Sequence, residues 1–228
     1  AKRLIMAGEV MSGTERVAKP STKLPVDAEL TVMQRPRYVG RGGLKMEGAL
    51  QGFGIDPTGW VCLDLGSSTG GFTDCLLQHG AARVHAVDVG TNQLAWKLRQ
   101  DPRVIVKEKF NARNLVESDL GERADLVVMD LSFISLTKVL PAAFGVLREG
   151  GSVVCLIKPQ FELSREEVGK GGIVREPELR AKAVEGIRSF VTQELKGNWL
   201  ALIESPITGT DGNVEFLAWL SAEPRDVA

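Results

Sequence analysis

The chain has 228 residues, of which 43% are hydrophobic and 25% are charged, and its formal net charge at pH 7 is −1. This length and apolar content predict one sizeable folded domain with a small appendage, and they exclude intrinsic disorder. The longest apolar runs, such as residues 153–157, are far shorter than the roughly 20 residues needed to cross a bilayer, so no membrane span is expected.

Cysteine use and the N-terminal sequence indicate a cytoplasmic protein. Cys62, Cys75 and Cys155 form no C-x-x-C pair, and their odd number leaves one unmatched in any disulfide scheme. Cys62 and Cys155 lie in strand-like apolar runs and are interpreted as buried structural thiols. The chain opens with no charged-then-apolar leader, so we do not expect secretion.

Charge is distributed unevenly along the chain. Residues 1–45 hold nine Lys and Arg against four acids, a net of about +5, so the remainder carries about −6. A basic front on an acidic body suggests a polyanionic partner for the front. A solvated basic surface is the alternative.

Residues 1–34 are predicted to form a small unit, with a helical end over 1–7 closed by Gly8 and short strands with turns at Ser12-Gly13 and 25–27. So short a unit cannot build much core alone. Because the chain begins with Ala rather than Met, we expect part of this unit to be missing. Residues 35–42, which contain Pro36, are predicted to be a linker.

Residues 43–228 alternate between helical and strand patterns. Short apolar strands that alternate with helices predict a mostly parallel α/β sheet with helices on both faces and an antiparallel strand pair at the end. The predicted strands are 61–65, 83–87, 104–106, 125–129, 152–157, 199–204 and 214–220. The predicted helices are 44–53, 72–78, 93–99, 136–147 and 175–195.

A glycine-rich turn follows the first strand of this domain. From Gly66 to Gly71 its spacing is G-x-x-x-G-G, which differs from the G-x-G-x-x-G of dinucleotide dehydrogenases and from a phosphate-binding P-loop. Glycines allow a tight turn and a close approach to a ligand, and the next helix begins with free N–H groups. An ordinary tight turn between a strand and a helix is the alternative interpretation.

The second strand is followed by Asp88, whose carboxylate can accept hydrogen bonds from both ribose hydroxyls of an adenosine. The glycine turn and this acid together favour an S-adenosylmethionine pocket over a plain turn beside a surface Asp. After the third strand, Asn111 offers an amide for the adenine edge but is equally typical of a turn.

Four further residues are expected at the same edge of the sheet. Asp130 follows the fourth strand and Lys158 the fifth, and ligands lie outside the carboxyl ends of strands in a doubly wound sheet. If the last strand is antiparallel, it begins at this edge and Glu215 joins them, while Lys45 on the preceding helix can cover the pocket. Any one of these residues alone is more typical of a surface ion pair.

Two lysines and two carboxylates around one point suit methyl transfer to a ribose 2′-hydroxyl. This weak acid must lose its proton as its oxygen attacks a sulfonium methyl in line, and a neutral lysine can act as the base. Because nearby acids favour a charged lysine, one lysine must be better shielded, and we predict Lys158 as the base and Lys45 as the orienting group. His79 and His85 do not follow central strands, and the sequence contains no metal-ligand cluster.

Six runs of the sequence are distinctive: GRGGLK (40–45), DLGSSTGGFTD (64–74), QLAWKLR (93–99), DLSFISL (130–136), KPQFE (158–162) and GNVE (212–215). They closely resemble the TlyA family, whose members are called hemolysin-like but act as ribosomal RNA 2′-O-methyltransferases. The resemblance implies an FtsJ-like, Rossmann-like methyltransferase domain over 43–228, S-adenosylmethionine as cofactor, ribosomal subunits as partners and cytidine as target. The family's Lys-Asp-Lys-Glu tetrad falls on Lys45, Asp130, Lys158 and Glu215.

The pattern and the resemblance together predict a set of cofactor-binding residues: Asp64, Gly66, Ser67, Ser68, Thr69, Gly70, Gly71, Phe72, Asp88, Asn111, Ala112 and Asp130.

Residues 1–10 and 17–20 look like the second half of an S4 RNA-binding domain, a small α+β unit. The opening helix of that domain has no counterpart, Ser12-Gly13 replaces the usual Asn-Gly turn, and Gly40 stands where Ser is common. The RNA-binding residues predicted on this basis are Lys2, Arg3, Lys19, Arg35, Arg37 and Arg41.

Three other functions fit parts of the sequence. A non-enzymatic RNA-binding or ribosome assembly factor would not need the complete tetrad. A membrane-active hemolysin-like protein is disfavoured because charges alternate along residues 175–195, which is typical of a solvated helix. A base-modifying methyltransferase would usually carry a catalytic Cys or an Asn-Pro-Pro-aromatic motif where this chain has Asp130-Leu131-Ser132-Phe133.

Overall fold

In the computed structural model, which describes residues 1–33 and 36–222, the chain divides into two units with a boundary between Arg37 and Tyr38. Arg35, one of the predicted RNA-binding residues, lies outside the described residues. Within the described ranges, no helix is long and apolar enough to cross a membrane.

The first unit contains one short helix and three short strands: α1 (Lys2–Met6), β1 (Val10–Ser12), β2 (Glu15–Arg16) and β3 (Leu30–Val32). The strands form an antiparallel sheet in the order β2-β1-β3. Gly8 and Gly13 have φ values of +70° and +57°, the left-handed conformation that glycine adopts without steric cost, at the two predicted breaks. Val10 and Val17 are the buried hydrophobic residues described in this unit, so its core is as small as its length predicts.

The second unit is built on seven strands: β4 (Val61–Leu65), β5 (Arg83–Val87), β6 (Val104–Lys107), β7 (Ala124–Met129), β8 (Leu147–Ile157), β9 (Asn198–Glu204) and β10 (Phe216–Ser221). They form one sheet in the order β6-β5-β4-β7-β8-β10-β9. The pairings from β6 to β8 are parallel, and β10 is antiparallel to both β8 and β9. This is the predicted α/β sheet with its closing antiparallel pair.

Within residues 38–222, six helices flank the sheet: α2 (Gly42–Phe53), α3 (Gly71–Gln78), α4 (Trp96–Arg99), α5 (Leu140–Gly145), α6 (Pro159–Glu162) and α7 (Pro177–Ser189). A π-helical stretch, Phe190–Glu194, continues α7. Short 3₁₀ turns occupy Ala112–Asn114, Glu117–Asp119, Leu136–Lys138 and Lys170–Gly172.

Both faces of the sheet are buried under helices. On β7, Val127 and Met129 point into a core that α5 and α7 cover, whereas Leu126 and Val128 point into a second core under α2, α3 and α4. A strand with two apolar faces needs a continuous apolar sequence, which explains why the central strands do not alternate. Burial raises the pKa of the Cys62 thiol to about 12, in keeping with the structural role predicted for it.

Two helix predictions differ from the structure. The helix predicted over 136–147 is divided, because Pro141 starts a new helix at α5 and Leu147 already pairs with Ala124 in the sheet. The helix predicted over 93–99 is reduced to α4, because Ala95 is extended and donates its N–H to the Thr69 carbonyl of the glycine-rich turn, 3.1 Å away. In both cases tertiary hydrogen bonds override helix propensity.

The linker predicted over 35–42 is too long. Tyr38 is buried in the second unit, and the Val39 N–H donates to Asp74 Oδ2 at 2.8 Å, so residues 38–41 belong to the fold that α2 continues. A Cβ atom on Gly43 would lie 2.2 Å from the Tyr38 ring, so a glycine here makes room for the tyrosine.

The sheet register brings the predicted functional residues to one edge. The carboxyl ends of β4, β5, β7 and β8 lie side by side because these strands are parallel. Phe216 pairs with Ile157 across the antiparallel β10–β8 ladder, so Glu215 enters the sheet where Lys158 leaves it.

Replacement of Leu126 by alanine tests the role of the doubly covered sheet. Leu126 is fully buried in β7, so Leu126→Ala is expected to lower the free energy of unfolding by about 2–5 kcal/mol. Leu200→Ala on the outer strand β9, where the side chain is 46% exposed, is the matched control and should cost less than about 1 kcal/mol. Denaturant unfolding measures both changes, and equal losses would contradict the described packing.

Candidate active site

The glycine-rich turn between β4 and α3 brings the main chain close to the end of β7. Gly66 and Gly70 have φ values of +84° and +95°, in the left-handed region. A Cβ atom on Gly66 would lie 2.5 Å from the Asp130 carbonyl oxygen, and one on Gly70 would lie 2.3 Å from Leu98 Cδ1. Both positions therefore require glycine for conformation and for space.

Two adjoining cavities open at this edge of the sheet. The lysine cavity, of about 480 Å³, is lined by Lys45 and Lys158, and the Asp88 cavity, of about 450 Å³, is lined by Asp88 and Asn111. The residues that line both are Gly66, Ser68, Asp130, Ser132 and Phe133. Their junction therefore lies beside the glycine turn and the end of β7.

Eleven of the twelve predicted cofactor-binding residues line these cavities. Those in the lysine cavity alone are Asp64, Ser67, Thr69, Gly71 and Phe72. Those in the Asp88 cavity alone are Asp88, Asn111 and Ala112, and those in both are Gly66, Ser68 and Asp130. Gly70 lines neither cavity and instead packs against Leu98 of α4.

Asp64 is a buried acid with one unused oxygen. Its Oδ2 accepts hydrogen bonds from the Thr73 N–H at 3.0 Å and from Thr73 Oγ1 at 2.6 Å. Its Oδ1 is buried and has no hydrogen-bond partner among the described residues. Burial raises the pKa of this carboxyl to about 7, against the opposing effect of the Thr73 bonds. A cationic ligand group in the lysine cavity would satisfy the orphaned oxygen.

The side chain of Asp88 is held by two main-chain N–H groups, one of them from the glycine-rich turn. Its two carboxylate oxygens accept the Ser68 N–H at 2.8 Å and the Gly90 N–H at 2.7 Å. Each carboxylate oxygen has a further lone pair, so Asp88 can still accept hydroxyl hydrogens from a ligand. Asn111 Oδ1 accepts the Arg113 N–H at 3.1 Å, so this side chain both caps a 3₁₀ turn and lines the cavity.

Lys45, Asp130, Lys158 and Glu215, called here the tetrad, meet in the lysine cavity as two ion pairs. Lys45 Nζ lies 2.5 Å from Glu215 Oε2, and both side chains are less than 10% exposed. Lys158 Nζ lies 2.7 Å from Asp130 Oδ1 and donates to Ser132 Oγ at 3.0 Å. The tetrad therefore places two cations and two carboxylates beside the junction of the two cavities.

Sequence reasoning missed an aromatic pair at the mouth of the lysine cavity. Phe133 is 90% exposed with a φ of +63°, and its ring centroid lies 5.1 Å from that of Phe161. Glu162 holds this loop because it accepts hydrogen bonds from Ser135 Oγ at 2.6 Å and from the Leu136 N–H at 2.9 Å. The signal available in the sequence was a large apolar residue just beyond Asp130, outside any predicted strand or helix.

The predicted RNA-binding residues fall into two groups. Lys2, Arg3, Lys19 and Arg37 belong to the first unit, where they are exposed. Arg41 belongs to the second unit, lines the lysine cavity and donates to the Thr208 carbonyl at 2.9 Å. Among the described members of the predicted set, Arg41 is thus the one that lines the same cavity as the catalytic candidates Lys45 and Lys158.

The two cavities fit a ligand with a cationic end, a diol and a flat apolar ring. The orphaned Asp64 oxygen suits an α-ammonium group, and Asp88 suits the hydroxyls of a ribose. The apolar side chains that line the Asp88 cavity suit an adenine ring: Val87, Phe110, Leu131, Ile134 and Val139. S-adenosylmethionine has these features, since its sulfonium joins an amino acid to a nucleoside.

Comparison with known proteins gives the same assignment. The TlyA 16S/23S rRNA (cytidine-2′-O)-methyltransferase of Mycobacterium tuberculosis is 47% identical over 225 residues, covering 98% of this chain and 84% of that protein. A solved structure described as "Putative hemolysin from Streptococcus thermophilus" has a TM-score of 0.81 at 45% identity, covering 98% of this chain and 82% of that one.

A more distant structure shares the fold alone. This S-adenosylmethionine-dependent methyltransferase from Mesorhizobium loti is 16% identical with a TM-score of 0.54, covering 79% of this chain and 99% of that one. The profile of the FtsJ-like methyltransferases matches residues 38–222, the whole described part of the second unit. The chain therefore belongs to the FtsJ-like methyltransferase family, and its cofactor is S-adenosylmethionine.

Proposed function

We propose that this protein transfers a methyl group from S-adenosylmethionine to the ribose 2′-hydroxyl of cytidines in ribosomal RNA. The observation that carries the proposal is the convergence of the tetrad, as two ion pairs, on a cavity that adjoins the Asp88 cavity. The ribosomal substrate and the cytidine target are supported by the name of the Mycobacterium tuberculosis relative. Such a substrate also supports the predicted cytoplasmic location.

When bound, the cofactor supplies an electrophilic methyl group on a sulfonium. Asp64 would accept a hydrogen bond from the α-ammonium group, and Asp88 would accept hydrogen bonds from the ribose. The glycine turn would let the main chain of Ser67 and Ser68 lie close to the ligand. Together these residues would bind the cofactor in the cavities that the tetrad adjoins.

The tetrad would then activate the RNA hydroxyl. When the 2′-hydroxyl gives up its hydrogen, Lys158 Nζ would take the proton, while the bound cofactor would supply the methyl group. Lys158 suits this role because its ion pair with Asp130 is the more exposed of the two and Asp130 lines both cavities. Lys45 Nζ lies 2.5 Å from Glu215 Oε2 in a nearly fully buried pair, and from there it would donate a hydrogen bond to the 2′-oxygen.

Phe133 offers a stacking surface for the target base. Its exposed ring stands at the cavity mouth beside Phe161, and stacking of a base on an aromatic ring contributes about 1–3 kcal/mol. A base that leaves its stack in the RNA loses stacking energy, and stacking on Phe133 would recover part of that loss. The first unit, with its exposed Lys2, Arg3 and Lys19, would bind RNA phosphates.

Replacement of Lys158 tests the assignment of the base. Lys158→Ala is expected to lower kcat by at least about 100-fold, because a general base contributes about 10²–10⁴ to the rate. Transfer of a radiolabelled methyl group to ribosomal subunits measures the rate, and ribose-methylation mapping identifies the nucleotide. The matched control is Lys182→Ala, which removes an exposed lysine paired with Glu167 outside both cavities.

A Lys158→Ala protein with a rate within threefold of wild type would refute the role of Lys158. A wild-type chain that binds subunits and cofactor but transfers no methyl group would instead act as an assembly factor.

The raised pKa of Asp64 predicts pH-dependent cofactor binding. Below pH 7 this carboxyl gains a proton and loses the charge that attracts the α-ammonium, so S-adenosylmethionine should bind about tenfold more weakly per pH unit below 7 and reach a plateau above it. Asp64→Asn should bind weakly at every pH, whereas Asp27→Asn, on the exposed surface of the first unit, should follow wild type. Calorimetric titration between pH 5.5 and 8.5 measures this, and a flat wild-type profile would rule it out.

A further inference from the structure

Asn213 connects two segments that are far apart in the sequence. It lies in the loop between β9 and β10, two residues before Glu215, and is 1% exposed. Its Oδ1 accepts the Val174 N–H at 2.9 Å, and its Nδ2 donates to the Gly172 carbonyl at 2.8 Å. Its own carbonyl accepts the Gly209 N–H at 2.9 Å. One buried residue thus joins the segment 169–174, called here the glycine segment, to the segment 208–211, called here the threonine turn.

Both segments line the lysine cavity. Gly171 and Gly172 do so from the glycine segment, and Thr208, Thr210 and Asp211 do so from the threonine turn. Neither segment lines the Asp88 cavity, where the nucleoside part of the cofactor would bind. The glycine segment and the threonine turn therefore form a wall of the lysine cavity that remains available to an RNA strand.

The glycine segment presents bare backbone to a ligand. Gly171 and Gly172 have φ values of +78° and +76°, and no atom lies within 4 Å of a Cβ built on either. Lys170 beside them is exposed, and Arg41 donates to the Thr208 carbonyl on the threonine turn. Open backbone that follows an exposed lysine and lines the same cavity as Arg41 suits a ribose–phosphate strand.

We propose that Asn213 is a positioning residue for the RNA substrate, and that it acts by holding the glycine segment and the threonine turn together as one wall. The inference rests on the proposed function, because it concerns how the RNA substrate of that function is positioned. Between α6 and α7 the chain has a single 3₁₀ turn as regular structure, so ordering this glycine-containing stretch on binding would cost entropy. The amide of Asn213 orders it in advance, which strengthens RNA binding.

Asn213 also lies close to the catalytic machinery, and the test must separate the two roles. A Cβ atom on Gly209 would lie 2.6 Å from Glu215 Oε1, so a shift of the threonine turn could reach the tetrad. A residue that positions RNA changes KM for RNA, whereas a residue that acts through Glu215 changes kcat.

The experiment compares Asn213→Ala and Asn213→Asp with wild type. Alanine removes both side-chain bonds, whereas aspartate keeps an acceptor for the Val174 N–H and loses the donor to the Gly172 carbonyl. For both variants we expect KM for ribosomal subunits to rise about tenfold, with kcat and the S-adenosylmethionine Kd within about twofold of wild type. The matched control is Asn198→Ala, which removes an exposed amide bonded to Ser221 on β9 and should leave all three constants unchanged.

Subunit binding is also measured at equilibrium by filter binding, without methyl transfer. If wild type binds the ribosomal subunits but methylates neither the small nor the large one, the proposed function fails. Subunit binding by the variants that is tenfold weaker than that of wild type would still support the role of Asn213. An unchanged KM and binding constant, a fall in kcat alone, or a parallel loss of cofactor affinity would each overturn it. If Asn213→Ala unfolds below the assay temperature, the KM and the subunit-binding constant of Asn213→Asp decide whether Asn213 positions RNA.

Discussion

The antiparallel pairing of β10 with β8 is the constraint on which the active site depends. Phe216 opposes Ile157 in this ladder, so the chain enters β10 from Glu215 at the edge where it leaves β8 through Lys158. A shift of one residue would turn Leu217 from the core under α2, α3 and α4 to the core on the other face and move Glu215 away from Lys45. The buried side chains of both strands therefore fix a catalytic geometry in which they take no direct part.

The tetrad balances its charges in pairs. Lys45 with Glu215 is the more buried pair, and Lys158 with Asp130 is the more exposed one. Charges removed from water need close partners, so the inner pair is well suited to a permanent charge. The outer pair adjoins the junction of the two cavities, because Asp130 lines both of them. The two lysines therefore differ in depth and in the position of their carboxylate partners.

The mostly parallel sheet with its antiparallel end and the convergence of the tetrad could be predicted because both follow from pattern and topology. Apolar runs give parallel strands, and parallel strands bring Asp88, Asp130 and Lys158 to one edge. Helix limits could not be predicted where a distant hydrogen bond decides, as at Ala95, which is bonded to Thr69. Phe133 and Asn213 were missed for a related reason, since their roles depend on how loops fold and not on a periodic pattern.

The close contact at Gly66 also bears on how this enzyme can change over evolutionary time. Because the turn lies against the carbonyl of Asp130, substitutions that reshape the cofactor side would displace the catalytic side as well. The cofactor side and the catalytic side therefore cannot change independently, so we expect the sequences of both to be nearly invariant. The loops that carry Gly171 and Thr210 lie outside this contact, so their exposed side chains can vary while the backbone that Asn213 joins is kept. Divergence toward new RNA targets therefore has its freedom in those loops, while the chemistry is inherited unchanged.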